Sequence, residues 1–237
     1  MGEASFGAFA KTIIQITHMG KTPVITKEQL LIFEELAKVP FIKDNFYFTG
    51  GTALSECYLH HRYSDDLDFF TDKTFDTQTT FSIMESIARK HNLKVNARFV
   101  EVTHKFQLIF PKKNTLKVDF GVYPYKKVDK EKIWQGLQLD SLKDIATNKM
   151  ITISQRTDIK DFVDLYFLLQ KKFTIWDLVY SSELKFRMKQ DILLLAADLL
   201  KVEDFTFLPR MIIDCKIDDV KLFYHNLAKR LGCKVTK

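Results

Sequence analysis

Cysteine, glycine and proline are all scarce in this chain, and each shortage removes a class of protein. The three cysteines, Cys57, Cys215 and Cys233, are odd in number, far apart and without CxxC spacing. A disulfide scaffold and a cysteine-based metal or redox site are therefore not expected, and the cysteines should remain thiols. Eight glycines and five prolines in 237 residues, with no low-complexity run, exclude fibrous and disordered classes. No stretch approaches the roughly 20 apolar residues of a membrane span. Residues 1–21, MGEASFGAFAKTIIQITHMGK, lack the basic flank, sustained apolar run and cleavage site of a secretion signal, so a cytoplasmic location is expected. No GxxxxGK[ST] loop occurs, and no Ser-His-Asp or Cys-His triad is indicated. His60 and His61 are adjacent and would point about 100° apart on a helix, so capping or surface roles are expected rather than a metal pair.

What is present fits a globular protein: 46% hydrophobic and 28% charged residues, with 21 Phe suited to core packing. The net charge of +6 favours polyanionic partners without naming one.

Periodicity divides the chain. TKEQLLIFEELAKVP carries apolar residues near a 3.6 period after a Thr26 cap, with Pro40 just past the end, and predicts a helix. NFYFTGG reads as a strand entering a tight turn, and TALSECYLHH as a helix. In DDLDFFT, acid and apolar residues alternate, so Leu67 and Phe69 face one way and Asp66 and Asp68 the other. A helix over TQTTFSIMESIARKHN and strands in KVNARFVEV, HKFQLIFP and NTLKVDFGVYPY follow. Beyond about residue 130 the pattern becomes helical, including TIWDLVYSSELKFRMKQDILLLAADLLKVED. The expected organisation is α+β: a mixed sheet with flanking helices over 1–128 and a helical lobe over 129–237.

Two features carry chemistry. Asp66 and Asp68 would project from one strand face with alternate α-carbons ~7 Å apart. Such carboxylates repel unless a cation sits between them, and Asp119, in the same apolar–acid–apolar setting, completes a cluster if the strands are neighbours. Three acids then permit a two-metal phosphoryl-transfer site. Gly50-Gly51-Thr52, between a strand and a helix, lets backbone N–H groups approach a phosphate. Either feature alone is weak: a spaced acid pair is commonly a solvated face, and a glycine pair commonly a turn. Lys149 and Arg156, seven apart, suit one basic helix face.

The order of motifs, GGTALSECYLHHRYSDDLDFF and then DIATNKMITISQRTDIKDFVDLYFLL, resembles the AbiEii/AbiGii family, nucleotidyltransferase-like toxins of abortive-infection and toxin–antitoxin systems within the polymerase-β-type superfamily. The resemblance spans residues 28–170. It implies that Asp66, Asp68 and Asp119 hold magnesium, two ions in all. It assigns Gly50, Gly51 and Thr52 to a nucleoside triphosphate, and Arg62 and Ser64 to phosphate oxygens. Lys149 and Asp161 are implied in the active site, whereas Asp161 and Asp164 are open to a catalytic role or to ion pairing with Lys149 or Arg156. The implied activity is nucleotidyl transfer to an RNA acceptor, notably the tRNA 3′ end, restrained by a separate antitoxin. Transfer to a small molecule or protein, and a non-catalytic nucleotide- or partner-binding module, are the alternatives.

Overall fold

The computed structural model describes residues 23–235. The stretch expected to lack a targeting signal lies outside them. Helices α1 (Lys27–Leu36) and α2 (Pro40–Asn45) lead into strand β1 (Tyr47–Thr49), which runs directly into a short helix α3 (Gly50–Leu54) and a π-helical turn (Ser55–Leu59). Strand β2 (Asp66–Thr71), helix α4 (Thr77–Lys90) and strands β3 (Lys94–Val100), β4 (Thr103–Ile109) and β5 (Thr115–Val122) follow. A hairpin of β6 (Lys132–Trp134) and β7 (Leu137–Leu139) precedes helices α5 (Leu142–Gln155), α6 (Ile159–Lys171), α7 (Ile175–Phe186) and α8 (Ile192–Leu199). A 3-10 turn (Leu200–Asp204) and helix α9 (Ile217–Val235) end the described chain.

The seven strands form one mixed sheet in the order β3-β4-β5-β2-β1-β7-β6. This is the α+β arrangement expected from the sequence. Strand β2 is central, antiparallel to β1 and parallel to β5. Its alternation decides the sheet's two faces: Leu67 and Phe69 are fully buried, whereas Asp66 and Asp68 are half-buried on the other side. On the apolar face, Phe69 stacks on Phe120 with centroids 5.5 Å apart, and Phe33 and Phe46 pack edge-on against Phe48 and Phe120. Each such ring contributes roughly 1.5–3 kcal/mol on burial, so reversing the register of β2 is strongly disfavoured.

The helices start where short polar side chains can satisfy their first N–H groups. Thr26 and Gln29 form a reciprocal cap on α1, and Asp76, Ser141, Asp158, Thr174 and Asp191 cap α4 to α8 in turn. Two differences from expectation have local causes. The β6–β7 hairpin carries the sheet past position 128 to Leu139, because β1 offers its open edge to β7 in parallel. The long helical stretch after Thr174 is broken at Arg187, which takes the left-handed conformation (φ 55°) before Asp191 caps the next helix. One core cluster joins the sheet's apolar face to residues of α5 to α9, so the two expected lobes share an interior. No disulfide links the cysteines among the described residues.

Candidate active site

The polar face of the sheet brings the three predicted acids together by register. Asp68 on β2 stands directly opposite Asp119 on β5, and Asp66 stands opposite Lys117. The adjoining strand places Lys105 opposite Asp119. Burial first, then the charges of Asp119 and Asp66, pushes the Asp68 carboxyl up to about 7. Burial also raises Asp119, against the opposing charge of Lys105. The basic side chains are loose counterions: Lys105 Nζ is 3.7 Å from Asp119 and Lys117 Nζ is 4.0 Å from Asp66. Among the described residues, no group of three or more His, Cys, Asp or Glu is drawn together tightly enough to hold a metal ion. The set nevertheless matches a hard cation in chemistry: it supplies only oxygen donors, and burial, added to the charges of Asp119 and Asp66, leaves Asp68 reluctant to ionise without one.

The glycine turn sits against these acids. Gly50 has φ +76°, and a Cβ there would run into the Asp68 carboxylate. A Cβ on Gly51 would lie 2.8 Å from Arg62 Nη2 and 3.0 Å from Ser64 Oγ. Both glycines are therefore required by close approach. Thr52 is fully buried, and its hydroxyl donates to the Asp66 carbonyl, clipping the turn to the acid-bearing strand. That hydroxyl is committed to the backbone.

Behind the acids lies a second charged group, almost wholly buried. Asp164 on α6 accepts from Arg62 Nε at 2.7 Å and Nη2 at 2.8 Å, while Arg62 Nη1 donates to the Tyr63 carbonyl. All three guanidinium nitrogens of Arg62 are thereby engaged within the protein. Lys149 Nζ lies 2.6 Å from Asp164 and 2.7 Å from Asp161, and Arg156 Nε donates to Asp161 at 2.8 Å. Burial works against the ionised acids, but Arg62 and Lys149 hold Asp164 well below the usual carboxylate range, and Lys149 and Arg156 lower Asp161. Arg156 is the C-cap of α5 in extended conformation, so it reaches Asp161 from the loop rather than from a helix face. His61 corrects the surface expectation: it is fully buried with Nε2 2.7 Å from Asp164, and burial lowers its pKa. The reason is the left-handed turn at His60 (φ 51°), which ends the π-helical segment and sends the next residues inward.

A cavity of about 550 Å³ opens between the two groups. Its walls include Gly51, Arg62, Ser64, Asp66, Asp68, Asp119, Lys149 and Asp161 among the predicted residues. Gly50 and Thr52 stand behind that wall. Sequence reasoning missed Asn96, Arg98, Lys105, Gln107, Lys117, Asp158 and Lys160, which also line it. Most of these were visible as polar positions alternating in strands, but their convergence depends on register. Seven cationic side chains line the cavity against five acids, so before any metal binds it already favours an anion.

The fold is that of nucleotidyltransferases. A candidate nucleotidyltransferase of Helicobacter pylori superposes with TM-score 0.56 at 18% identity, covering 90% of this chain and 98% of that one. The nucleotidyltransferase toxin MenT4 of Mycobacterium tuberculosis gives TM-score 0.54 at 13% identity, over 94% of this chain and 89% of its own. A family model for the nucleotidyl transferase AbiEii toxin of type IV toxin–antitoxin systems matches residues 32–223, and the chain belongs to that family. An uncharacterized protein of Aquifex aeolicus is 34% identical over 165 residues, 65% of this chain and 70% of that protein. Among the described residues no helix is long and apolar enough to cross a membrane.

Proposed function

We propose that this nucleotidyltransferase moves a nucleoside monophosphate from a nucleoside triphosphate to a hydroxyl of RNA, with the tRNA 3′ end as the favoured acceptor. In this reading it is the toxin of a pair whose antitoxin restrains it. The observation that carries the reading is the in-register pairing of Asp68 with Asp119, with Asp66 two residues away, at the wall of a cavity otherwise rich in cations.

Asp66, Asp68 and Asp119 would hold magnesium. When bound, the ions supply charge neutralisation at the transferring phosphate and at the leaving pyrophosphate. The remaining work falls to the chain's own groups. Lys149 has three donors, of which Asp161 and Asp164 take two, leaving one for a triphosphate oxygen in the cavity it lines. Arg156, with a largely exposed side chain, adds a second cation beside it. Gly51, without a side chain, lets Arg62 and Ser64 pack directly against the turn at the cavity wall. Ser64 borders the same wall. Arg62, engaged by Asp164 on one side and standing under Gly51 on the other, positions the turn and keeps two N–H donors for a phosphate oxygen in the cavity it lines. The acceptor oxygen forms its bond to the α-phosphorus as the bond from that phosphorus to pyrophosphate breaks. The hydroxyl proton passes to Asp119, which stands opposite Asp68 on the adjoining strand at the cavity wall. Positioning and electrostatics supply the rate, without a covalent enzyme intermediate.

The test is incubation with total tRNA, magnesium and each α-labelled nucleoside triphosphate in turn, beside Asp66→Ala. Label entering RNA with the wild type alone is the expected result. Absence of label in RNA under every condition would remove the RNA assignment.

A further inference from the structure

The acids continue outward as a register-matched row of opposite charge. Across the polar face, Asp68 on β2 pairs with Asp119 on β5, Asp119 with Lys105 on β4, and Lys105 with Arg98 on β3. The row beside it runs Asp66, Lys117, Gln107, Asn96. Neighbouring strands are about 4.8 Å apart, so Lys105 and Arg98 lie roughly 5 and 10 Å beyond Asp119. Arg98 is exposed and forms no ion pair with any described residue, and Lys105 is held only by its 3.7 Å contact to Asp119. All of these side chains line the same cavity as the acids.

Resting on the transfer reading above, we infer that this row is the track of the acceptor: a single-stranded polynucleotide end that enters across β3 and β4 and delivers its terminal hydroxyl to Asp119. The argument is one of placement. The cations at the far wall, Lys149 and Arg156, belong to elements beside the glycine turn and suit the triphosphate. Those on β4 and β3 form a line leading away from the acids, and cations spaced one strand apart suit successive phosphates rather than one compact anion. Asn96 and Gln107 supply donors and acceptors one row over, where sugar or base edges of the same strand would lie. The row ends at β3, the edge strand, so nothing in the sheet blocks a chain that continues outward.

The experiment is anisotropy with a short fluorescein-labelled single-stranded RNA, titrated at several salt concentrations, on wild type and on Arg98→Ala/Lys105→Ala. The double variant should bind at least about tenfold more weakly, with the log–log salt slope reduced by about 0.7 for each lost phosphate contact. Its affinity for a fluorescent nucleoside triphosphate should stay within about twofold of wild type. Lys43→Ala/Arg89→Ala, an equal charge change on α2 and α4, should bind RNA as wild type does. A double variant with wild-type affinity and slope overturns the track, as does a wild-type protein that binds no oligonucleotide. If the wild type labels RNA while the row variant binds normally, the track fails and the transfer reading stands. If the row variant loses binding while no RNA is ever labelled, the row is a polynucleotide-binding site, but its role as an acceptor track falls with the transfer reading.

Discussion

Two groups of aspartates face one another across the same cavity, and they are built on opposite principles. On the sheet, Asp66, Asp68 and Asp119 crowd like charge at a half-open surface with two loosely held lysines, and Asp68 is pushed up to about 7 by burial and its acidic neighbours. Between α5 and α6, Asp161 and Asp164 are fully buried, yet every oxygen has a close cationic or imidazole partner, and both acids are held below their usual range. The first group is unsatisfied in the resting protein and has capacity for an added cation. The second is satisfied already and fixes the position of what surrounds it. In the proposed function one cluster serves reaction and the other architecture, and each assignment can be broken separately.

The largest expected effect is on the buried group. Asp164→Asn keeps the shape but removes the charge that Arg62, Lys149 and His61 converge upon. Two buried cations would then lose a partner, at a cost of about 3–5 kcal/mol. Urea unfolding of wild type and variant measures this directly, and a loss below about 1 kcal/mol would show that the network is not what anchors α6 to the sheet side.

The complementary substitution, Asp68→Asn, should do the reverse. Transfer activity should drop by about 10²–10³-fold, the usual penalty for losing one electrostatic stabiliser of a transition state. Stability at pH 8 should not fall, because a repelling charge has been removed. Initial rates with magnesium and thermal midpoints in magnesium-free buffer check both halves. An Asp68→Asn protein that is inactive because it is unfolded would erase the contrast between the two groups.

How far this contrast was legible in the sequence differs by element. Strand β2 was plain, since a buried apolar face and an acidic face alternate at period two, and Asp119 repeated the pattern on β5. The β6–β7 hairpin escaped because its strands are three residues each and its turn is Gln135-Gly136, both at positive φ. That geometry suits a two-residue hairpin, but Gln-Gly is a weaker signal than Asn-Gly. The burial of His61 and the partner of Arg62 were hidden for a different reason. The composition of TALSECYLHH predicts a helix through His61, whereas the segment widens to a π turn and then reverses hand at His60, carrying the side chains of His61 and Arg62 to a partner more than a hundred residues away. Local periodicity holds no information about such a partner. The motif KDFVDLY did mark Asp161 and Asp164, and left open whether they catalyse or pair; the structure shows the pairing.

The finest distinction is in pH dependence, where the two groups have opposite signs. Asp68 has a folded pKa raised from 3.8 to about 7, so between these values the metal-free folded state holds a proton that the unfolded chain has released. Its contribution favours folding at acid pH and is lost as pH rises from about 4 to 7, by roughly 2 kcal/mol once partial exposure to solvent is allowed for. Asp161 and Asp164 have lowered pKa values, so their contribution is present above 3.8 and fades as pH falls below it. Thermal midpoints of magnesium-free wild type should therefore decline from pH 4 to 7 relative to Asp68→Asn, while both proteins weaken together below pH 4. On the proposed function, added magnesium should bind the ionised form and restore more stability at pH 8 than at pH 5 in the wild type, with little change in Asp68→Asn. Parallel pH curves for the two proteins would mean that the acids on the sheet are as well compensated as those between the helices, and the separation of reaction from architecture would lose its basis.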